Sequence, residues 1–144
     1  MSILRLRVRF DFINSVRSKR TLFGGKSPEQ AAEETRQHKV SLMRNVPIQG
    51  IAIEDIDMSQ EIYSVYDEIN GREMSYAPVI VTFNADSMEH AVKFAAREEL
   101  RVVQVLDPEE LTLSSLEIER LMVTISGEML DYKRFLERKV NNWR

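Results

Sequence analysis

Few residues in this chain have both the type and the spacing to do chemistry. His38 and His90 are the two histidines, and each stands alone on a predicted helix. Glu34 precedes His38 by four residues, so the two share a helix face, but a metal or catalytic site needs more convergent ligands than that. Asp55 and Asp57 alternate on a predicted strand, which points both carboxylates to one side. A divalent cation bridging them would need further oxygen ligands, and a solvated or ion-paired edge is the simpler reading. The chain holds no cysteine, which excludes disulfides, thiolate zinc sites and cysteine nucleophiles.

The segment Gly24-Gly25-Lys26-Ser27 ends like a phosphate-binding loop. The full pattern places a glycine five positions before Gly25, where this sequence has Arg20. The two glycines read instead as a turn before a helix.

The strongest candidate for binding is a basic stripe. Arg5, Arg7 and Arg9 alternate with Leu4, Leu6, Val8, Phe10 and Phe12, giving a strand with one charged and one apolar face. Arg17, Lys19, Arg20 and Lys26 extend the patch, so residues 1–26 carry seven bases against Asp11, a net of +6. Phosphate contact is one use of such a patch. RNA-binding sheets stack bases on exposed aromatics, however, and Phe10 and Phe12 point with the core set. The acidic segment 40–76, with two bases against seven acids, offers the stripe an internal partner, within the chain or across a dimer.

The elements that carry these residues follow from periodicity. Residues 77–106 read strand, helix, strand: Val79, Ile80, Val81 and Phe83 form a strand apolar on both faces. Ser87 with Asn84 and Asp86 opens a helix bearing Met88, Ala91, Val92 and Ala95, and Val102, Val103, Val105 and Leu106 supply a second strand. Ser27-Pro28-Glu29 starts an earlier helix over 29–45 that Val46-Pro47 ends. Between them, 48–57 and 61–69 look like strands separated by Met58-Ser59-Gln60, and Asn70-Gly71 is a hairpin signal joining the second to the strand at 72–83. The order predicts an α+β fold, a ferredoxin-like β-α-β-β-α-β sandwich with an antiparallel sheet and helices on one face. Residues 1–106 form that core within a single domain.

Residues 107–144 are a helical extension packing on the core or on a second subunit. Asp107-Pro108-Glu109-Glu110 predicts one helix start and Ser114 or Ser115 a second. Ile118, Met122, Ile125, Met129, Tyr132, Leu136, Val140 and Trp143 then step by four or three, a helical seam. Val123, Thr124, Ile125 and Gly127 leave a strand at 118–125 as the alternative for the first half. Met129, Tyr132, Leu136, Val140 and Trp143 are the expected oligomer interface.

At 144 residues, 43% hydrophobic and 30% charged, the chain fits one folded domain. No apolar run reaches the roughly 20 residues of a membrane span, and the N-terminal arginines interrupt any signal-peptide core. A cytoplasmic protein is the simplest expectation. The sequence favours a non-enzymatic interaction or regulatory module, a homodimer with a small ligand at the subunit interface and no cofactor of its own. Nucleic-acid binding by the basic N-terminal region is the alternative, and a metal-dependent enzyme using Asp55 and Asp57 comes third.

Overall fold

The computed structural model describes residues 3–13, 27–69 and 71–142. Strand β1, Leu4–Ile13, follows the alternation of its residues: Leu4, Leu6, Val8, Phe10 and Phe12 are buried, while Arg5 and Arg7 are exposed. Helix α1, Pro28–Asn45, begins with a capping box in which the Ser27 hydroxyl accepts from the Gln30 N–H and the Gln30 side chain accepts from the Ser27 N–H. It stops at Val46, whose extended backbone is what a following proline imposes.

Strands β2, Ile51–Asp57, and β3, Tyr63–Asp67, precede the long strand β4, Arg72–Ala85. Helix α2, Met88–Ala95, is capped by Ser87, and strand β5, Leu100–Asp107, follows it. The sheet is antiparallel throughout, in the order β2-β4-β1-β5, with β3 also on β4. Tyr76 faces Ile13 on one side and Tyr63 on the other, so β3 shares with β2 the edge of β4 that β1 leaves open.

Among the described residues the sheet therefore has five strands, one more than a β-α-β-β-α-β order provides. The extra strand comes from an interruption at residues 58–62. There the Asp57 carboxylate accepts from the Ser59 N–H at 2.8 Å, a local turn that competes with the ladder. Arg36 of α1, itself buried, donates to the Gln60 carbonyl at 2.8 Å and the Pro78 carbonyl at 3.2 Å, fastening the interruption to the helix layer. The hairpin joins β3 to β4 where the sequence placed it; Gly71 sits at φ +62°, and Asn70 lies outside the described residues.

Both α1 and α2 pack on the face that carries the even residues of β1. Val40 and Met43 of α1 and Ala91 and Phe94 of α2 join Val8, Phe10, Val79, Val81 and Phe83 in one cluster. Phe94 meets Phe83 edge-on at 4.7 Å and Phe10 at 6.0 Å, and the Arg97 guanidinium lies 5.3 Å from both the Phe10 and the Phe94 rings. Burial pulls the Arg97 pKa down. On the opposite face β4 is less apolar than a strand buried on both sides: Thr82 is buried there, and Ile80 is half-buried.

Helix α3, Ser115–Asn141, is continuous through Gly127, so the strand alternative for 118–125 does not occur. Ser114, not Asp107, caps it, accepting from the Glu117 N–H at 3.1 Å. Asp107 is held in the β1–β5 ladder opposite Arg5, which delays the start. No helix among the described residues is long and apolar enough to cross a membrane.

Candidate interaction surface

Helix α3 spans 27 residues, about 40 Å at 1.5 Å per residue, and touches the body mainly through α2. Among its described residues Thr124 alone is buried, and its hydroxyl donates to the Glu89 carboxylate at the start of α2, at 3.1 Å. Glu117, Leu121 and Glu128 are half-buried along the same stripe. That stripe, spaced by four, three and four, is the side of α3 turned to the rest of the chain.

The apolar seam lies on a neighbouring stripe and is open. Met129, Tyr132, Leu136 and Val140 are exposed, as are Ile118, Met122 and Ile125 before them. Trp143 lies outside the described residues. The seam thus does not fold back over the chain's own sheet. Such a contiguous apolar strip is larger than scattered surface hydrophobics account for.

Strand β5 adds a second exposed apolar feature. Val103 and Val105 pair with Val8 and Leu6 and so sit on the helix-bearing face, yet each is about half exposed. Helix α2 has eight residues and does not extend over this edge. The run Val102-Val103-Gln104-Val105 has no alternation that could have revealed which valines stay uncovered.

The arginine stripe has partners. Arg5 donates from Nε at 3.1 Å and from Nη2 at 2.9 Å to the Glu54 carboxylate, which also accepts from Asn84 at 2.7 Å. These hydrogen bonds, Arg5's first, hold the Glu54 carboxyl below its ordinary pKa, and the same pair raises that of Arg5. Arg9 bonds Asp11 at 2.8 Å, and buried Asp11 also accepts from the Tyr63 hydroxyl at 2.5 Å. Burial, then that bond, raises the Tyr63 pKa. Arg7 makes a long contact to the Thr82 hydroxyl at 3.5 Å and is the strand arginine that no carboxylate takes up among the described residues. Arg17, Lys19, Arg20 and Lys26, with the turn at Gly24 and Gly25, lie outside the described residues.

Compared with known proteins, the chain matches no family model, no curated protein and no solved structure. The surfaces have to be read on their own chemistry.

The remaining sequence candidates stay apart. Among the described residues no group of three His, Asp or Glu side chains comes together as a metal cluster. Asp55 and Asp57 lie on one face of β2, opposite Thr82 and Ile80, and hydrogen bonds from Ser59 lower the Asp57 pKa. Asp55 also lines a shallow groove of about 480 Å³ between the end of α1 and β2, whose other walls include Val46, Ile48, Ile53 and Ile56. Glu34 and His38 are exposed on α1. His90 is committed to structure: its Nδ1 lies 2.5 Å from the Asp86 carboxylate, which His90 holds below its usual pKa. Gly50, at φ +74°, passes so close that a Cβ there would strike both side chains.

Proposed function

We propose that this chain is a non-enzymatic interaction or regulatory module that works as a homodimer, joined through the seam of α3. The observation that carries the reading is the exposure of Ile118, Met122, Ile125, Met129, Tyr132 and Leu136, between 42% and 68% each in the single chain. Apolar area of that extent is stabilised by removal from water, and a second identical helix removes it on both copies at once. A small ligand at the subunit contact belongs to the same reading, since interfaces are where pockets form. Counting β2 and β3 as one edge strand broken at 58–62, the core is ferredoxin-like, with residues 107–144 as its appended assembly element. Two helices on one sheet face and an antiparallel sheet support that description. Light scattering at micromolar concentration tests the assembly: a mass near twice 16.8 kDa is expected, and 16.8 kDa itself would overturn it.

One observation favours a second reading, nucleic-acid binding. Tyr63 and Tyr76 stack at 5.2 Å on the sheet face that carries Arg5, Arg7 and Arg9, an aromatic pair the N-terminal strand does not provide. It ranks second because Arg5 and Arg9 are paired and Arg101 sits 5.9 Å over the Tyr76 ring. Filter binding to mixed RNA and DNA at two salt concentrations decides it, with loss of binding expected when the three arginines become Ser. No retention at low salt removes this reading.

A further inference from the structure

The reading of α3 as the subunit contact leaves its geometry open, and the order of residues along the helix supplies it. We infer that two copies of α3 pair antiparallel about a two-fold axis at the level of Gly127. This inference rests on the proposed homodimer and adds the direction and register of its helices.

From Ile118 to Leu136 the seam, which continues to Val140, steps by four, three, four, three and four through Met122, Ile125, Met129 and Tyr132. That alternation of four and three, a seven-residue repeat, keeps one stripe facing a partner helix. The steps also read the same from either end, with the midpoint at residue 127. Reversing a second copy about that midpoint therefore returns the seam to itself. Ile118 meets the partner's Leu136, Met122 the partner's Tyr132, and Ile125 the partner's Met129. Each large or long side chain then faces a different apolar one, in an isologous contact of the kind closed dimers use.

Charge at the helix ends and along one flank suits the antiparallel direction. Glu119, Ser126 and Lys133 are exposed and spaced by seven along one flank of the seam. In the reversed pair this flank faces its own copy, so Glu119 lies against the partner's Lys133 twice, and Ser126 meets itself at the axis. The ends agree: Glu117 is in the first turn and Arg138 and Lys139 in the last, and the antiparallel pair sets each basic end beside an acidic one. A parallel pair would bring like ends together. On the other flank Glu128 meets its own copy at the axis, one like-charge contact against these opposite-charge ones.

The placement of α3 on the body fits the same arrangement. The first half of the helix is held against α2 at Thr124, while every residue from Met129 to Asn141 is exposed. In the antiparallel pair each free second half lies along the anchored first half of its partner. Phe135, itself exposed, then comes to Leu121 of the other copy, on the flank next to α2.

The chain's lack of cysteine makes the direction readable by cross-linking. A variant carrying Ile118→Cys and Leu136→Cys is oxidised as purified and its linked peptides are identified by mass spectrometry. The two positions are about 27 Å apart along one helix, too far to close within a chain. The antiparallel pair gives the 118–136 linkage between chains; linkages of 118 to 118 and 136 to 136 would overturn the antiparallel direction while leaving α3 as the contact. Charge reversal at exposed positions supplies a check that spares the seam. Glu119→Lys and Lys133→Glu should each weaken the dimer, on the order of tenfold, and the double variant should restore it. Unaltered dimers in all three variants, with no cross-link through either cysteine, would place the contact away from α3 and overturn both statements. A monomeric unmodified protein would do the same.

Discussion

Thr124 on α3 donates its hydroxyl to the Glu89 carboxylate on α2, and that bond marks where the C-terminal helix leaves the body. Up to that level one stripe of α3 is shielded; past Glu128 every described residue is exposed. The helix therefore projects an amphipathic half that the single chain does not cover.

Leu136 tests what covers it. With 43% of Leu136 exposed, Leu136→Glu should barely change the melting temperature of a single chain. In a dimer sealed by α3 the same change buries a carboxylate without a partner, which costs several kcal/mol or ionises only when the helices part. The expected result is a folded monomer by light scattering, with its far-UV circular dichroism little altered.

Phe10 tests the core. It is fully buried between Phe12, at 5.7 Å, and Phe94, with the Arg97 guanidinium over its ring. Phe10→Ala should cost about 3–5 kcal/mol. The urea midpoint should fall with the slope unchanged, and an unmoved midpoint would contradict the packing described.

Gly50 combines two requirements. Its φ of +74° is a region that L side chains enter at a cost, and the space a Cβ needs is occupied by the His90 ring and the Asp86 carboxylate. Gly50→Ala should destabilise by about 1–3 kcal/mol from the backbone alone, and more from the displaced pair. In the Asp86→Ala background the extra part should shrink, which a double-mutant cycle by denaturant melts measures.

Glu54 gives a pH signature. Its pKa in the folded chain is depressed, first by the hydrogen bond from Arg5 and then by that from Asn84. Its contribution to stability is therefore present above the unfolded carboxyl value of about 4.3 and is lost as pH falls through the lower folded value. Glu54→Gln should melt at a lower temperature than the unmodified protein at pH 7. The gap should close below about pH 4, and a gap that persists there would show that the effect is not ionic.

The strands and helices were largely legible in residue order. Leu4 to Phe12 alternate, and Ser27-Pro28 and Ser87 are caps whose bonds are local. Such signals survive because they depend on neighbours within a few positions. The two faces of β1 were legible for the same reason, and so was the helical repeat from Ile118 to Leu136.

Only the tertiary structure decided what each face meets. Arg5 finds Glu54 because β1 and β2 flank β4, an adjacency across 49 residues that no local pattern contains. Asp11 is buried under Tyr63, although its place in the alternation is that of a solvent-facing charge. Val103 and Val105 stay half exposed because α2 ends after eight residues, short of the edge they occupy. The helix start at Ser114, not Asp107, likewise depends on Asp107 being claimed by the ladder with Arg5. Periodicity tells which residues share a stripe, but whether a stripe is covered is set by the length and position of elements far away in the chain.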